Sequence, residues 1–166
     1  MENQSNPLKQ YFRKPGIWIK LPSQGEFYNE KPADFNDMGE IPVYPMTAKD
    51  ELTLKTPDAL LSGQSTVEVI KSCIPAILDP WKMPSFDLDA VLIAIRVASY
   101  GHEMELDTSC PNCAETTEIS LDLRKVLERL SRGDYSEPVK IGDLEIHFKP
   151  LNYRQITSNK IGRAHV

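Results

Sequence analysis

The 166-residue sequence predicts an α+β fold with a central buried helix, short capped helices and small antiparallel β-hairpins. Two observations favour this class. Between Leu88 and Ala98 only Asp89 and Arg96 are charged, so a helix in this stretch is expected to be almost surrounded by protein. After Gly101 apolar residues recur at every second position, which is typical of half-buried strands. The first pattern predicts the packing centre and the second predicts the hairpins.

Chain length and proline content bound the domain organisation. The length suits one ordinary domain with its own core. We expect a proline-rich N-terminal segment with edge strands over residues 1–46, and a helical core with C-terminal hairpins over residues 47–160. Residues 161–166, IGRAHV, match the translation of a common sequencing-adapter string. We therefore expect a non-native read-through tail after residue 160, on a chain cut short of its natural C-terminus.

The N-terminal segment carries two strand patterns. Residues 17–21 and 40–44 are rich in β-forming residues and are interrupted or closed by prolines, which predicts edge strands. The stretch between them has the composition of a loop, in which Phe27, Tyr28 and Phe35 are expected to anchor the chain on the core.

Capping motifs mark the helix starts in the middle of the chain. The expected capping residues are Thr47 with Asp50, Thr56 ahead of Pro57, Ser65 with Glu68, and Ser85 or Asp87. Val69, Ile70 and Cys73 fall on one face of the helix that follows Ser65, and Pro75 is expected to end that helix or bend it. The central helix is expected to end at Gly101.

The C-terminal half predicts two hairpins around one helix. Residues 103–110 alternate between apolar and acidic side chains, and a return strand is expected over residues 115–119. Residues 121–130 read as an amphipathic helix. Residues 139–148 form two alternating runs around Gly142-Asp143, which is a strong signal for a tight hairpin turn.

Cys110 and Cys113 form a C-x₂-C turn between the two strands, with the geometry of half a tetrahedral zinc site. The other candidate ligands are Cys73, His102 and His147, and the chain has no second C-x₂-C. A metal-free reduced turn is therefore the favoured interpretation, with zinc as the alternative. A redox role is disfavoured because such cysteines normally open a helix.

Composition and motifs exclude several functions. A net charge of −5 without a basic stripe argues against nucleic-acid binding, and the apolar runs are too short to span a bilayer. No hydrophobic signal region begins the chain, so we expect a cytoplasmic protein. Enzyme motifs for phosphate binding, serine hydrolysis or zinc proteolysis are lacking, which predicts neither catalysis nor a small-molecule substrate. Trp18, Phe27, Tyr28 and Trp81 would suit protein-partner contacts, with core anchoring as the equal alternative.

Several short sequence words occur in one collinear order over residues 7–130. They are KLPS at residues 20–23 with Gly25, IPVYPMTA at 41–48, TPDAL at 56–60, DPW at 79–81, IAIRVASYG at 93–101, and Cys110-Pro111 with Cys113. In these words and in their order the chain resembles the baseplate hub protein family of T-even-type contractile-tailed phages. The resemblance covers most of the chain, so it is more specific than any single motif.

The resemblance implies a non-enzymatic virion-assembly protein that is made late in infection in the host bacterial cytoplasm. Such a protein helps to build the central hub of the tail baseplate, and its partners are other phage baseplate hub and tail proteins. The family resemblance carries no active-site residues. Two alternatives stay open: a tail assembly chaperone that is absent from the mature virion, and a zinc-ribbon-like adaptor based on Cys110 and Cys113.

Overall fold

The structure, a computed structural model, describes residues 13–28, 30–56, 62–109, 111–113, 115–132 and 137–163, with side chains up to residue 158. The strands are β1 (Ile17–Ile19), β2 (Ile41–Val43), β3 (Glu103–Ser109), β4 (Thr116–Asp122), β5 (Val139–Ile141) and β6 (Leu144–Ile146). The helices are α1 (Ala48–Leu54), α2 (Gln64–Cys73), α3 (Ser85–Tyr100), α4 (Leu123–Leu130) and α5 (Tyr153–Arg163), with a 3₁₀ helix at Pro80–Lys82. The arrangement is α+β, as predicted.

Within the described ranges, three two-stranded antiparallel sheets pair β1 with β2, β3 with β4 and β5 with β6. The β1–β2 sheet, α2, α3 and the connection between these helices share one hydrophobic core. Its fully buried members include Ile41, Ile70, Met83 and Val91. The β-rich, proline-flanked runs of the N-terminal segment thus form the predicted strands, and their apolar side chains complete the core of the helices.

Helix α3 is the packing centre that the sequence predicts. Of its 16 residues, only Asp89, Leu92 and Tyr100 are exposed. Gly16, which leads into β1, lies so close to this helix that a Cβ there would be 3.0 Å from Ala98. No helix in the described ranges has both the length and the apolar character needed to cross a membrane.

One predicted helix cap, at Ser65, differs from the structure. The Thr47–Asp50 capping box is present, but Ser65 does not cap α2. That helix begins at Gln64 after Gly63, whose φ of +77° places it in the left-handed region. A Cβ on Gly63 would lie 2.9 Å from the Tyr153 hydroxyl, so the contact with α5 leaves no room for a side chain at this position. The predicted cap at Thr56 precedes residues 57–61, which lie outside the described residues.

The start of α3 also differs from the prediction. Neither Ser85 nor Asp87 caps this helix, because Pro84 occupies the N-cap position without a side-chain hydrogen bond. The Ser85 amide donates instead to the Leu151 carbonyl at 2.9 Å, and Pro84 forms a β-bridge with Asn152. A distant segment therefore satisfies the first backbone amide of the helix, and no side-chain cap is present at its start.

The predicted hairpins are both present, and Gly142 has a φ of +61° at the β5–β6 turn. The expectation of a half-buried strand over residues 103–110 is wrong for β3, in which only Met104 is partly covered. The alternation marks a face suited to burial, but that face is exposed to solvent in this structure.

Helix α5 was not among the sequence predictions. Asn152 and Gln155 cap its start reciprocally, since each side-chain oxygen accepts from the other residue's amide at 2.9 Å. This N-x-x-Q spacing is the signal that would have predicted the helix. The helix passes residue 161, where the tail is predicted to begin; residues 164–166 lie outside the described residues, and the origin of the tail stays a prediction.

Candidate functional site

Strands β3 and β4 form a hairpin that we call the hairpin arm, residues 103–122. Seven residue pairs connect the strands, from Glu103 opposite Asp122 to Ser109 opposite Thr116. At about 3.3 Å per residue the arm is about 20 Å long. All its described residues are exposed except Met104 and Asp122, so it extends from the body with both faces open.

One face of the hairpin arm is apolar. The register places Met104 opposite Leu121 and Leu106 opposite Ile119, and side chains of paired residues lie on the same face. The exposed fractions are 39% for Leu106, 48% for Ile119 and 37% for Leu121. An open strip of large aliphatic side chains on a two-stranded sheet is typical of a surface that binds another protein.

The opposite face of the hairpin arm is acidic. It carries Glu103, Glu105, Asp107, Glu118 and Asp122. Asp107 stands directly across from Glu118, and like charges in cross-strand pairs are unfavourable. Negative charge is concentrated in the arm: 6 of the 24 acidic residues and none of the 19 basic residues of the chain lie in residues 103–122. The other residues carry 18 acidic and 19 basic groups, so the arm accounts for the net negative charge.

The base of the hairpin arm is held firmly on the body. Gly101 ends α3, and the Leu123 amide donates to the His102 carbonyl at 2.8 Å, which closes the arm where α4 begins. The Asp122 carboxylate caps α4 by accepting from the Arg124 amide at 3.0 Å. Its hydrogen bonds with the Arg124 side chain lower the pKa of Asp122 to about 2. Buried Leu123 then fixes α4 to the body.

The arm tip contains the predicted zinc half-site, of which the structure describes one ligand. Cys110 lies outside the described residues, and Cys113 carries an exposed free thiol. Cys73 is buried in the core, and His102 lies at the arm base, a full strand length from the tip. No cluster of three or more potential ligands occurs in the part of the chain that the structure describes. Zinc at Cys110 and Cys113 stays a prediction.

The two tryptophans among the predicted partner contacts lie in different environments. Trp18 on β1 is 45% exposed, opposite Pro42 of β2. Trp81 is partly buried and stacks on Tyr153, with ring centroids 5.5 Å apart and planes inclined by 18°. Trp18 thus presents an open aromatic surface, whereas Trp81 attaches α5 to the 3₁₀ helix. A partner role for either residue stays a prediction.

The other two predicted contact residues anchor the loop between β1 and β2. Phe27 packs edge-on against Phe86, with centroids 6.1 Å apart. The Tyr28 hydroxyl donates to the Asp87 carboxylate at 2.8 Å, and the tyrosine ring packs on the core. The anchoring expected from the sequence is therefore present, and a partner role for these side chains is untested.

Asp87 is a buried carboxylate whose role the sequence interpretation missed. It accepts from the Ser23 amide at 2.8 Å, from the Ser23 hydroxyl at 2.5 Å and from Tyr28. Burial raises the pKa of the Asp87 carboxyl, and these hydrogen bonds offset only part of the effect. Asp87 lies four residues before Val91 on the buried face of α3, and this position was the available signal for an internal partner.

A second polar cluster joins the start of the described chain to α1 and α2. The Arg13 guanidinium donates to the carbonyls of Pro45 and Ser72, and the Ser72 hydroxyl donates to Asp50 at 2.9 Å. Burial alone would raise the pKa of the Asp50 carboxyl, but hydrogen bonds from Thr47 and Ser72 outweigh it and hold that pKa below its ordinary value. Both buried carboxylates, Asp50 and Asp87, thus serve internal packing.

The family model described as T4 bacteriophage base plate protein matches residues 15–164. The chain belongs to this family. The T4 baseplate family match includes the complete hairpin arm and confirms the resemblance found in the sequence words. Comparison with curated proteins and comparison with solved structures each gave no match. Membership supports a role in the phage tail baseplate, among other baseplate proteins.

Proposed function

We propose that the protein is a non-enzymatic component of the baseplate hub that acts in hub assembly. It works by docking the hairpin arm on other phage baseplate hub and tail proteins, first in the host bacterial cytoplasm and then in the tail. The observation that carries the proposal is the arm itself: a hairpin anchored firmly at its base, with the apolar strip Leu106, Ile119 and Leu121 uncovered.

The energetics of the hairpin arm favour a partner. A lone two-stranded hairpin is marginally stable in water. Burying a Leu or Ile side chain completely stabilises by about 1.5–3 kcal/mol, so covering the half-exposed strip would contribute a few kcal/mol. The β5–β6 hairpin offers a second such surface, because Val139 pairs with Ile146 and Ile141 with Leu144 on one exposed face. Two uncovered apolar hairpins suit a scaffold that contacts more than one neighbour.

The non-enzymatic part of the proposal has separate support. Asp50 and Asp87 are buried carboxylates with shifted pKa values. Both accept hydrogen bonds from internal donors and serve the packing of the body. Catalytic carboxylates with shifted pKa values lie in clefts where a substrate can reach them.

Co-purification tests the docking surface. The chain is co-expressed with the other tail proteins of its phage, and the retained partners are measured by quantitative mass spectrometry. Leu106→Asp with Ile119→Asp places charges on the apolar strip and should reduce partner recovery about tenfold. Ser120→Asp, on the acidic face of the same strand, is the matched control and should leave recovery near wild type. Equal recovery for the strip variant and the control would refute docking through the apolar face.

An assembly chaperone is the second candidate, because uncovered apolar hairpins would also suit transient holding of a tail component. Mass spectrometry of purified virions separates the two functions. A hub component remains in mature tails at a fixed ratio to other baseplate proteins. Absence from mature tails, with presence in assembling lysates, would favour the chaperone.

A zinc-ribbon-like adaptor is the remaining alternative, and the zinc content of the protein tests it. We propose that Cys110 and Cys113 hold no metal as the protein functions. Elemental analysis of the purified chain should then give less than about 0.1 zinc per chain, since half a ligand set binds weakly. Stoichiometric zinc that is lost in Cys113→Ser would overturn this part of the proposal.

A further inference from the structure

A basic pocket lies at the end of the body where α5 begins. It has a volume of about 620 Å³. Its cationic side chains are Lys82, Lys149 and Arg154, against the single carboxylate of Asp79. Phe27, Pro84 and Leu151 add apolar walls. We call this cavity the basic pocket; it combines positive charge with apolar surface, as the hairpin arm combines negative charge with apolar surface.

Two of the three cations of the basic pocket, Arg154 and Lys82, contact neighbouring side chains. The Arg154 guanidinium lies 5.3 Å from the centroid of the Trp81 ring, which itself stacks on Tyr153. Lys82 pairs with Asp79 at 3.3 Å. Among residues with described side chains, no carboxylate forms an ion pair with Lys149 or Arg154. The pocket therefore keeps two positive charges for an incoming anionic group, and Arg154 is pre-oriented by its aromatic support.

The basic pocket and the hairpin arm lie at opposite ends of α3. The pocket includes Pro84, directly before the first residue of this helix, whereas the arm begins at Glu103, two residues after Gly101 ends it. Sixteen residues of α-helix separate the ends by about 24 Å. Since the arm is exposed on both faces, it does not fold back on its own body. The two complementary surfaces are therefore open at the same time.

We infer that the acidic face of the hairpin arm of one copy docks in the basic pocket of a second copy. The inference rests on the proposed function, because it also takes the arm as a docking element. It adds a second partner: the apolar face binds hub proteins, and the acidic face binds another copy of the chain. The charge distribution selects a second copy as the occupant. The arm carries the entire net negative charge of the chain, and the pocket presents two cations, Lys149 and Arg154, that form no ion pair with any described carboxylate.

The two docking surfaces differ, so the association is head-to-tail. A chain of docked copies has a free arm at one end and a free pocket at the other. Further copies can therefore add until the ends meet in a closed ring, or they continue to add and form a filament. The apolar strip of each docked arm stays available for a different protein, because it lies on the reverse face. Docking also relieves the repulsion between Asp107 and Glu118.

Sedimentation velocity of the purified full chain over a concentration series tests the inference. The wild-type chain should associate reversibly at low salt, and about 0.5 M salt should weaken the association about tenfold or more. The arm variant Glu105→Lys/Asp107→Lys/Glu118→Lys and the pocket variant Lys149→Glu/Arg154→Glu should each remain monomeric. The matched controls, Asp37→Lys/Glu68→Lys and Lys49→Glu/Lys71→Glu, change exposed charges elsewhere and should associate like wild type.

Mixing the variants tests the head-to-tail geometry. The arm variant keeps its basic pocket for the acidic arm of the pocket variant, and the reversed arm is complementary to the reversed pocket. An equimolar mixture should therefore associate again, with the two variants alternating, although neither associates alone. Circular dichroism confirms that each variant is folded. A monomeric wild-type chain at all concentrations, wild-type association by both reversed variants, or a mixture that stays monomeric would each overturn the inference.

The same experiment separates this inference from the proposed function. Leu106→Asp/Ile119→Asp changes the apolar strip alone, and it should lose the hub partners while copies still associate. Loss of partner recovery only in the strip variant, with no self-association by any chain, would sink the inference and leave the proposed function standing.

Discussion

The body and the hairpin arm differ in how much of their apolar surface is buried. In the body, Ile70 and Val91 are completely buried against neighbours from the same chain. In the arm, Leu106 and Ile119 remain in contact with water although their strands are fully paired. The body can therefore obtain its stability internally, whereas the arm gains by burying its strip on another protein. The difference supports the proposed docking role of the arm.

The largest expected contrast comes from removing one isoleucine side chain in each region. Ile70→Ala should destabilise the fold by about 3–4 kcal/mol, because it leaves a cavity in a closed core. Ile119→Ala should cost less than about 0.5 kcal/mol, because the side chain is already 48% exposed. Denaturant unfolding, followed by circular dichroism, measures both. Equal losses would show that the arm packs on the body in solution.

The next contrast compares two aspartates in the first turns of α3. Asp87→Ala should destabilise the fold by about 2–3 kcal/mol, because it strands the Ser23 amide and the Tyr28 hydroxyl without their acceptor. Asp89→Ala, at an exposed position two residues later, should stay within about 0.5 kcal/mol of wild type. Matching free energies of unfolding for the two variants would contradict the anchoring role of Asp87.

A smaller effect distinguishes the two buried carboxylates of the body by pH. The pKa of Asp87 is raised above 3.8, so its contribution to stability is present below pH 3.8 and is lost as pH rises through the folded-state pKa. The pKa of Asp50 is lowered, so its contribution is present above pH 3.8 and is lost as pH falls through the folded-state pKa.

Unfolding free energies of wild type, Asp87→Asn and Asp50→Asn over this pH range give the test. The wild type should lose stability relative to Asp87→Asn as the pH rises from 3.8, and relative to Asp50→Asn as the pH falls from 3.8. A shared direction for both differences would contradict the assigned environments.

The predictable features of the fold are those encoded by neighbours in the sequence. The Thr47–Asp50 cap, the β5–β6 turn at Gly142 and the apolar run of α3 each depend on residues within a few positions. The short sequence words also indicate the family. Local patterns therefore gave the fold class and the baseplate role.

The features that the sequence did not reveal depend on contacts between distant segments. Gly63 precedes α2 at a position where Tyr153 of α5 leaves no room for a side chain, and buried Asp87 accepts hydrogen bonds from Ser23 and Tyr28, more than fifty positions away in the sequence. The hairpin arm shows the reverse case: Leu106 has the alternation of a buried strand, but no described part of the body covers it. Periodicity predicts which face of a strand is apolar, but whether that face is buried depends on tertiary contacts.

Replacing the hairpin arm tests the division between body and arm most directly. Glu103 and Asp122 are paired across the arm base, so an Asn-Gly turn in place of residues 104–121 can join them with little strain. The shortened chain should keep its thermal unfolding midpoint within about 3 °C of wild type. It should also fail to enter tail baseplates when it replaces the wild-type chain in its phage, as quantified by mass spectrometry of purified tails. Incorporation at the wild-type level, or an unfolded shortened chain, would contradict the separation of a self-sufficient body from a partner-binding arm.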